Sequence, residues 1–313
     1  MDVKQKASLF AITFALMLAG SKFTIGLVSG SMAVVSSSLD SLLDVFMSAM
    51  NLLAIRKSSQ PPDPSHHYGH GKVENLAAVF QTLVIVFSGS YIIYASIQKW
   101  LDAQKITYSI WDGVVMIVSL IFSFLISRRL QTIGETTGSQ ALKADALHYT
   151  SDLYSNSAAL IAIVLTYFSG QIFFDLLFAV MVGGIIIFSA GLIAKNALLG
   201  LMDFSISTGD QEKLISLLAG KPYPFAGFHK LRTRTSGSKI YADLHALFCR
   251  ALKIEEAHER SRELELEIAR AIPSMDVIIH IEPCEQTCEV TEESCKIRHP
   301  ESSNSIPLNP TLP

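Results

Sequence analysis

Long apolar runs fill the first two thirds of the chain, at roughly 8–29, 33–55, 75–97, 110–130, 142–168 and 173–199. Each is long enough to cross a hydrocarbon core of about 30 Å, which takes about 20 helical residues. The pattern predicts a polytopic α-helical membrane protein with six transmembrane helices, and an even number returns the chain to its starting side. After about Met202 the pattern becomes that of a soluble domain. It predicts a short helix (Asp210–Ala219), a strand (His229–Thr235), a Ser-Gly turn (Ser236–Ser238), a strand (Lys239–Cys249), a helix (Ile254–Ala271) and a strand (Met275–Glu282). Ile240, Ala242, Leu244, Ala246 and Phe248 alternate with Tyr241, Asp243 and His245, the period of a half-buried strand. The fold class expected here is a small C-terminal α+β sandwich. Beyond Pro283 the residues are mainly Glu, Ser, Thr, Asn and Pro, which bury too little apolar surface to order themselves. The expected domains are therefore 1–204 in the membrane, 205–283 in water and a disordered tail over 284–313.

Composition strengthens the membrane assignment. Half of the residues are hydrophobic and 17% are charged, against about a quarter charged in soluble domains. The run that follows Lys4 and Lys6 exceeds the roughly 7–15 residues of a signal-peptide core and lacks a clear cleavage site, so it reads as a first span. Basic residues gather at Lys4, Lys6, Arg56, Lys57, Lys72, Arg128, Arg129 and Lys143, whereas the opposite connections offer mainly Lys99 and Lys105. By the positive-inside bias both termini are expected in the cytoplasm. A net charge of −3 supplies no basic field for nucleic acid, which is not an expected partner. All four cysteines lie in the soluble part and are expected to be reduced thiols there.

Two spans carry ionisable residues well inside the apolar region. SSSLDSLLDVF places Asp40 and Asp44 four residues apart, and ALKADALHYTSDLYSN places His148 and Asp152 at the same spacing. Four residues turn a helix through about 400°, so each pair shares one face. A charge at mid-membrane costs about 2.5–3.5 kcal/mol, so the four groups need a partner. Three carboxylates and an imidazole offer a tetrahedral oxygen and nitrogen set of the kind zinc or ferrous iron accepts, and the imidazole disfavours magnesium or calcium. The plainer alternative is that the groups hydrogen-bond between helices or to Ser37, Tyr149 or Asn156. If metal binds, protons compete for the same ligands, and His148 is the expected proton carrier because an ordinary imidazole titrates near pH 6.5.

With these motifs the sequence resembles the cation diffusion facilitator family, most closely its YiiP-type branch of bacterial ferrous-iron and zinc exporters. The resemblance covers roughly residues 7–283 and rests on D-x-x-x-D in the second span, H-x-x-x-D in the fifth, and the loop YGHGKVENLAA (Tyr68–Ala78). It implies a homodimer in the bacterial inner membrane that exports Zn²⁺, Fe²⁺ or Cd²⁺ in exchange for protons by alternating access, with metal also serving as a structural or regulatory ion and no organic cofactor. It implies a transport site of Asp40, Asp44, His148 and Asp152. A loop site of Asp63, His66 and His70 follows within PPDPSHHYGHG. The family's soluble domain resembles a metallochaperone, a ferredoxin-like fold, and its ligands fall on His229, His245, His258 and His280, with Glu282 where close relatives carry Asp. The extra methylene of Glu282 puts a bridging role in doubt. Lys72 and Asp203 occupy the positions of a Lys–Asp pair that interlocks two protomers.

Several signals carry less. Lys22 lies near enough to a span end to be expected to snorkel toward water. Cys284, Cys288 and Cys295 are too loosely spaced for a zinc knuckle and are expected to be free thiols in the tail. A membrane metalloenzyme would need an open coordination position and a separate base, and no H-E-x-x-H occurs. A primary pump would need a phosphate-binding loop, and G-x-x-x-x-G-K-[ST] is absent. A metal-sensing or non-transporting relative of the exporters is the remaining alternative.

Overall fold

A computed structural model describes residues 2–29, 32–101, 110–169, 173–285 and 291–292. The chain divides into two compact units, Met1–Leu201 and Met202–Pro313. The tail expected from residue 284 onward falls largely outside the described residues, as do Cys288 and Cys295.

The first unit is built from α1 (Val3–Ser29), α2 (Met32–Ser58), α3 (Lys72–Leu101), α4 (Ile110–Thr137), α5 (Gln140–Ser169) and α6 (Phe173–Leu201). Among the described residues α1, α3, α4 and α6 are long and apolar enough to cross a membrane. The other two, α2 and α5, have the length but carry the Asp, His, Ser and Asn side chains that lower their hydropathy. They are the two helices expected to present ligands. The helices pack with α1 along α2, α3 along α6 and α4 along α5, while α2 also meets α5.

Burial in this unit is inverted relative to a water-soluble bundle. Leu16, Phe23, Leu43, Phe46, Phe80, Phe87 and Phe188 are exposed, whereas Ala7, Ala11, Ser48, Asn51 and Gln81 are buried. That distribution suits lipid outside and close helix contact inside, where small residues admit near approach and polar ones pair. Gly183 on α6 shows the closeness: a Cβ there would lie 3.0 Å from the Gly89 carbonyl oxygen on α3 and 2.6 Å from Ile93.

The second unit runs α7 (Thr208–Ala219), β1 (Phe225–Ser236), β2 (Lys239–Phe248), α8 (Ile254–Ala271) and β3 (Met275–Pro283). Ser207 caps α7 by accepting a hydrogen bond from the Asp210 amide. Gly237, with φ of 62°, supplies the left-handed residue that the two-residue turn between β1 and β2 requires. The sheet order is β1-β2-β3, antiparallel then parallel, because α8 carries the chain back across the sheet. This αββαβ order matches a ferredoxin-like fold short of its first strand among the described residues. Leu214, Leu218, Phe225, Leu244, Phe248, Leu264, Ile268 and Ile279 form the core on the helix side, which leaves the opposite sheet face polar.

Candidate metal centres

The ligand atoms of Asp44 on α2 and of His148 and Asp152 on α5 all lie within 4.8 Å of one another. His148 Nε2 is 2.9 Å from Asp44 Oδ1, so a hydrogen bond joins the two helices at the cluster. A tetrahedral zinc ion with bonds of about 2.1 Å sets its ligands about 3.4 Å apart, so only a modest closure separates this group from a coordination shell. Asp40 lies one turn before Asp44 and is exposed, outside the group of three that converges. Asn156 donates its side-chain amide to the backbone carbonyl of Asp152, which leaves the Asp152 carboxylate out of that bond.

Behind this cluster sits a buried polar network. Tyr149 packs its ring edge-on to His148 with centroids 5.5 Å apart. Its hydroxyl lies 2.9 Å from Ser48 Oγ. Ser48 donates to Asp145 Oδ1 at 3.1 Å, as does Gln81 Nε2 from α3, and Asn51 donates to Gln81 Oε1. Asp145 is fully buried. Sequence reasoning missed this network, although Asp145 stands three residues before His148 on the same helix and was a signal available there.

Lys22 corrects the sequence-based expectation. It is 8% exposed rather than snorkelling to water, and Nζ donates to Ser41 Oγ at 2.8 Å. The ammonium interacts electrostatically with Asp44, Asp152 and Asp40. The turn of α1 on which Lys22 lies faces α2, and that direction is what hydropathy alone does not encode.

A second group forms in the loop between α2 and α3, where Asp63, His66 and His70 converge. Backbone bonds in both directions between Asp63 and His66 tie the loop into a small ring, and Gly69 turns it with φ of 75°. Asp63 Oδ1 lies 3.1 Å from His66 Nδ1, and Oδ2 lies 3.4 Å from His70 Nε2. Hydrogen bonds from the Ser65 hydroxyl, and then from the His66 and Ser65 amides and the His66 ring, hold the Asp63 carboxyl well below the usual carboxylate range. Both His70 ring nitrogens are buried without a hydrogen bond. A buried imidazole left so is rare, and its Nε2 faces the other two ligands. His67 is exposed and stands outside the group.

The third group lies on the polar face of the sheet. His229, His245 and His280 are in register across β1, β2 and β3. The left-handed Lys230 and the adjoining bulge in β1 follow His229 directly, an irregularity that re-aims side chains. Glu282 reaches His229 Nε2 with Oε2 and His245 Nδ1 with Oε1, both at 2.7 Å. The longer side chain thus engages two imidazoles at once. His229 and His245 in turn hold the Glu282 carboxyl below its ordinary value. His280 is more exposed, with its ring 4.7 Å from that of His245 and Nε2 3.7 Å from Glu282 Oε1. His258 is exposed on α8 and joins no group of three among the described residues.

Lys72 donates to the carbonyl of Leu201 at the end of α6, and Asp203 accepts from Arg234. Cys284 departs from the expected tail: it is buried, packs against Ala226, and its amide bonds to Phe248.

Residues 8–202 match the cation efflux transmembrane domain, and residues 210–284 match the cytoplasmic domain of cation efflux proteins. The cation-efflux pump FieF of Pectobacterium carotovorum subsp. carotovorum (strain PC1) is 34% identical over 255 residues, 82% of this chain and 84% of that protein. FieF of Escherichia coli O127:H6 (strain E2348/69 / EPEC) is 34% identical over 279 residues, 89% of this chain and 92% of that protein. A solved chain of CzrB, described through a zinc transporter's mode of action, matches 25% of this chain at 27% identity, covering 98% of its own length with a TM-score of 0.24. At that score it carries no argument about the fold.

Proposed function

The chain belongs to the cation efflux family, and from that premise we propose that it carries a divalent transition metal out of the cytoplasm in exchange for protons, through the cluster on α2 and α5. It is a membrane transporter of cations rather than an enzyme. The observation that carries the reading is the convergence of Asp44, His148 and Asp152 within 4.8 Å on the two least apolar of the six long helices. Asp40, one turn before Asp44 on the same face of α2, completes the set if α2 turns or shifts by part of a helical step.

The mixed oxygen and nitrogen donors favour Zn²⁺, with Fe²⁺ and Cd²⁺ as further substrates of the same geometry. Proton exchange follows from the contact between His148 Nε2 and Asp44 Oδ1. One proton must lie between those atoms, on the imidazole or on the carboxyl. An ion that takes both lone pairs expels it, and release of the ion readmits it. His148 is the proposed proton carrier.

The loop cluster and the sheet cluster serve as additional metal sites on the cytoplasmic side, with both termini there and the membrane the bacterial inner membrane. The soluble unit joins two copies into a homodimer, with Lys72 and Asp203 as the interlocking pair. Reconstituted vesicles test the proposal. Zn²⁺ flux is expected without ATP and to rise when protons run down a gradient in the direction opposite to the metal, and flux indifferent to that gradient would remove the exchange mechanism.

A further inference from the structure

We propose that Lys22 is a resident counter-cation of the transport cluster, which an incoming divalent ion must displace. The inference rests on reading Asp44, His148 and Asp152 as that cluster. Lys22 is the one charged residue between Ala7 and Ser29 in α1, and at 8% exposure its ammonium does not reach out along the helix. Its bond goes inward, to Ser41 Oγ on α2. Ser41 follows Asp40 directly and precedes Asp44 by three residues, so the ammonium is anchored on the turn of α2 that carries both carboxylates. Asp44, Asp152 and Asp40 all act on it electrostatically.

A lysine placed this way does two things. It offsets part of the negative charge whenever no ion is held, so fewer protons are needed to make the cluster tolerable in lipid. It also repels the ion it gives way to. A like charge several ångströms off in a medium of intermediate dielectric weakens binding by about tenfold or more. The flexible four-carbon stem lets the ammonium withdraw and return. Lys22 thereby limits affinity so that the ion can leave, a tuning role rather than that of a ligand.

The two arms of the test are kinetic and chemical. In proteoliposomes, Lys22→Gln keeps a donor for Ser41 but lacks the charge. It is expected to lower KM for Zn²⁺ about tenfold and to reduce the maximal flux, while Lys22→Arg stays near the parent on both. A Lys22→Gln protein with unchanged KM would reduce Lys22 to a strut between α1 and α2 and overturn the proposal. The second arm needs no substitution: acylation of Lys22 by a small amine reagent, followed by mass spectrometry, is expected to quicken severalfold when Zn²⁺ is added to the whole protein. Reactivity indifferent to Zn²⁺ would overturn it equally. Both failures leave the cluster itself untouched, because Asp152→Ala tests that separately through loss of flux.

Discussion

His148 Nε2 stands 2.9 Å from Asp44 Oδ1, a bond that crosses from α5 to α2. If the two groups meet on one ion, their removals do not add. Outer partners of a metal ligand already cost about 10–100-fold in affinity. His148→Ala and Asp44→Ala are each expected to weaken Zn²⁺ binding at least about 100-fold, and the double variant little further, as equilibrium binding to the purified transporter would record.

Asp145 positions this cluster without touching it. Its fully buried carboxyl gathers Ser48 and Gln81, and Ser48 also meets the Tyr149 hydroxyl. Asp145→Asn keeps the volume but reverses the donors at one oxygen, so it disturbs the network that backs His148. Zn²⁺ flux is expected to fall about tenfold in a protein that still folds. Gln81→Ala should move flux the same way by less.

Glu74 at the start of α3 is 1% exposed and draws three helices and a connection together. It pairs with Lys4 at 2.6 Å, accepts from Ser58, and also accepts from Ser139. Removing one member of such a buried pair strands the other, a loss of about 3–5 kcal/mol. Glu74→Ala is therefore expected to lower the melting temperature in detergent markedly. Glu74→Gln, which keeps the hydroxyl partners and loses only the charge on Lys4's side, should fall between.

Acid should weaken the sheet cluster through Glu282. Hydrogen bonds from His229 and then His245 keep its folded-state pKa below the ordinary 4.5. The unfolded chain thus takes up a proton first as pH falls. The contribution of Glu282 is complete above about pH 4.5 and is lost as pH drops through the lower folded value. Denaturant unfolding followed on the soluble unit's helix signal is expected to show Glu282→Gln with a flatter acid limb below pH 4.5 and a constant offset above it.

The membrane unit was legible because lipid imposes a length and a polarity on each helix, and because i,i+4 pairs such as His148 and Asp152 stand out in an apolar run. Helix α8 was readable to its end residues, Ile254 and Ala271, since its apolar positions recur at the helical period. What the pattern did not contain was the direction of each face. Lys22 looked close enough to an end to reach water, yet the turn it occupies points at α2, where its ammonium bonds to Ser41. Asp40 shares a face with Asp44, but spacing along one helix says nothing of how far the partner helix reaches, and here it meets Asp44 alone. The Glu282 contacts join three strands, and no local signal along any one of them announces that meeting.

Zn²⁺ uptake by vesicles containing the Asp44→Ala/Asp152→Ala double variant, checked for a folded dimer by gel filtration, bears most directly on the carrier reading. Flux at the level of protein-free vesicles is the expected result. Flux near that of the parent protein would contradict it and move the path of the ion away from α2 and α5.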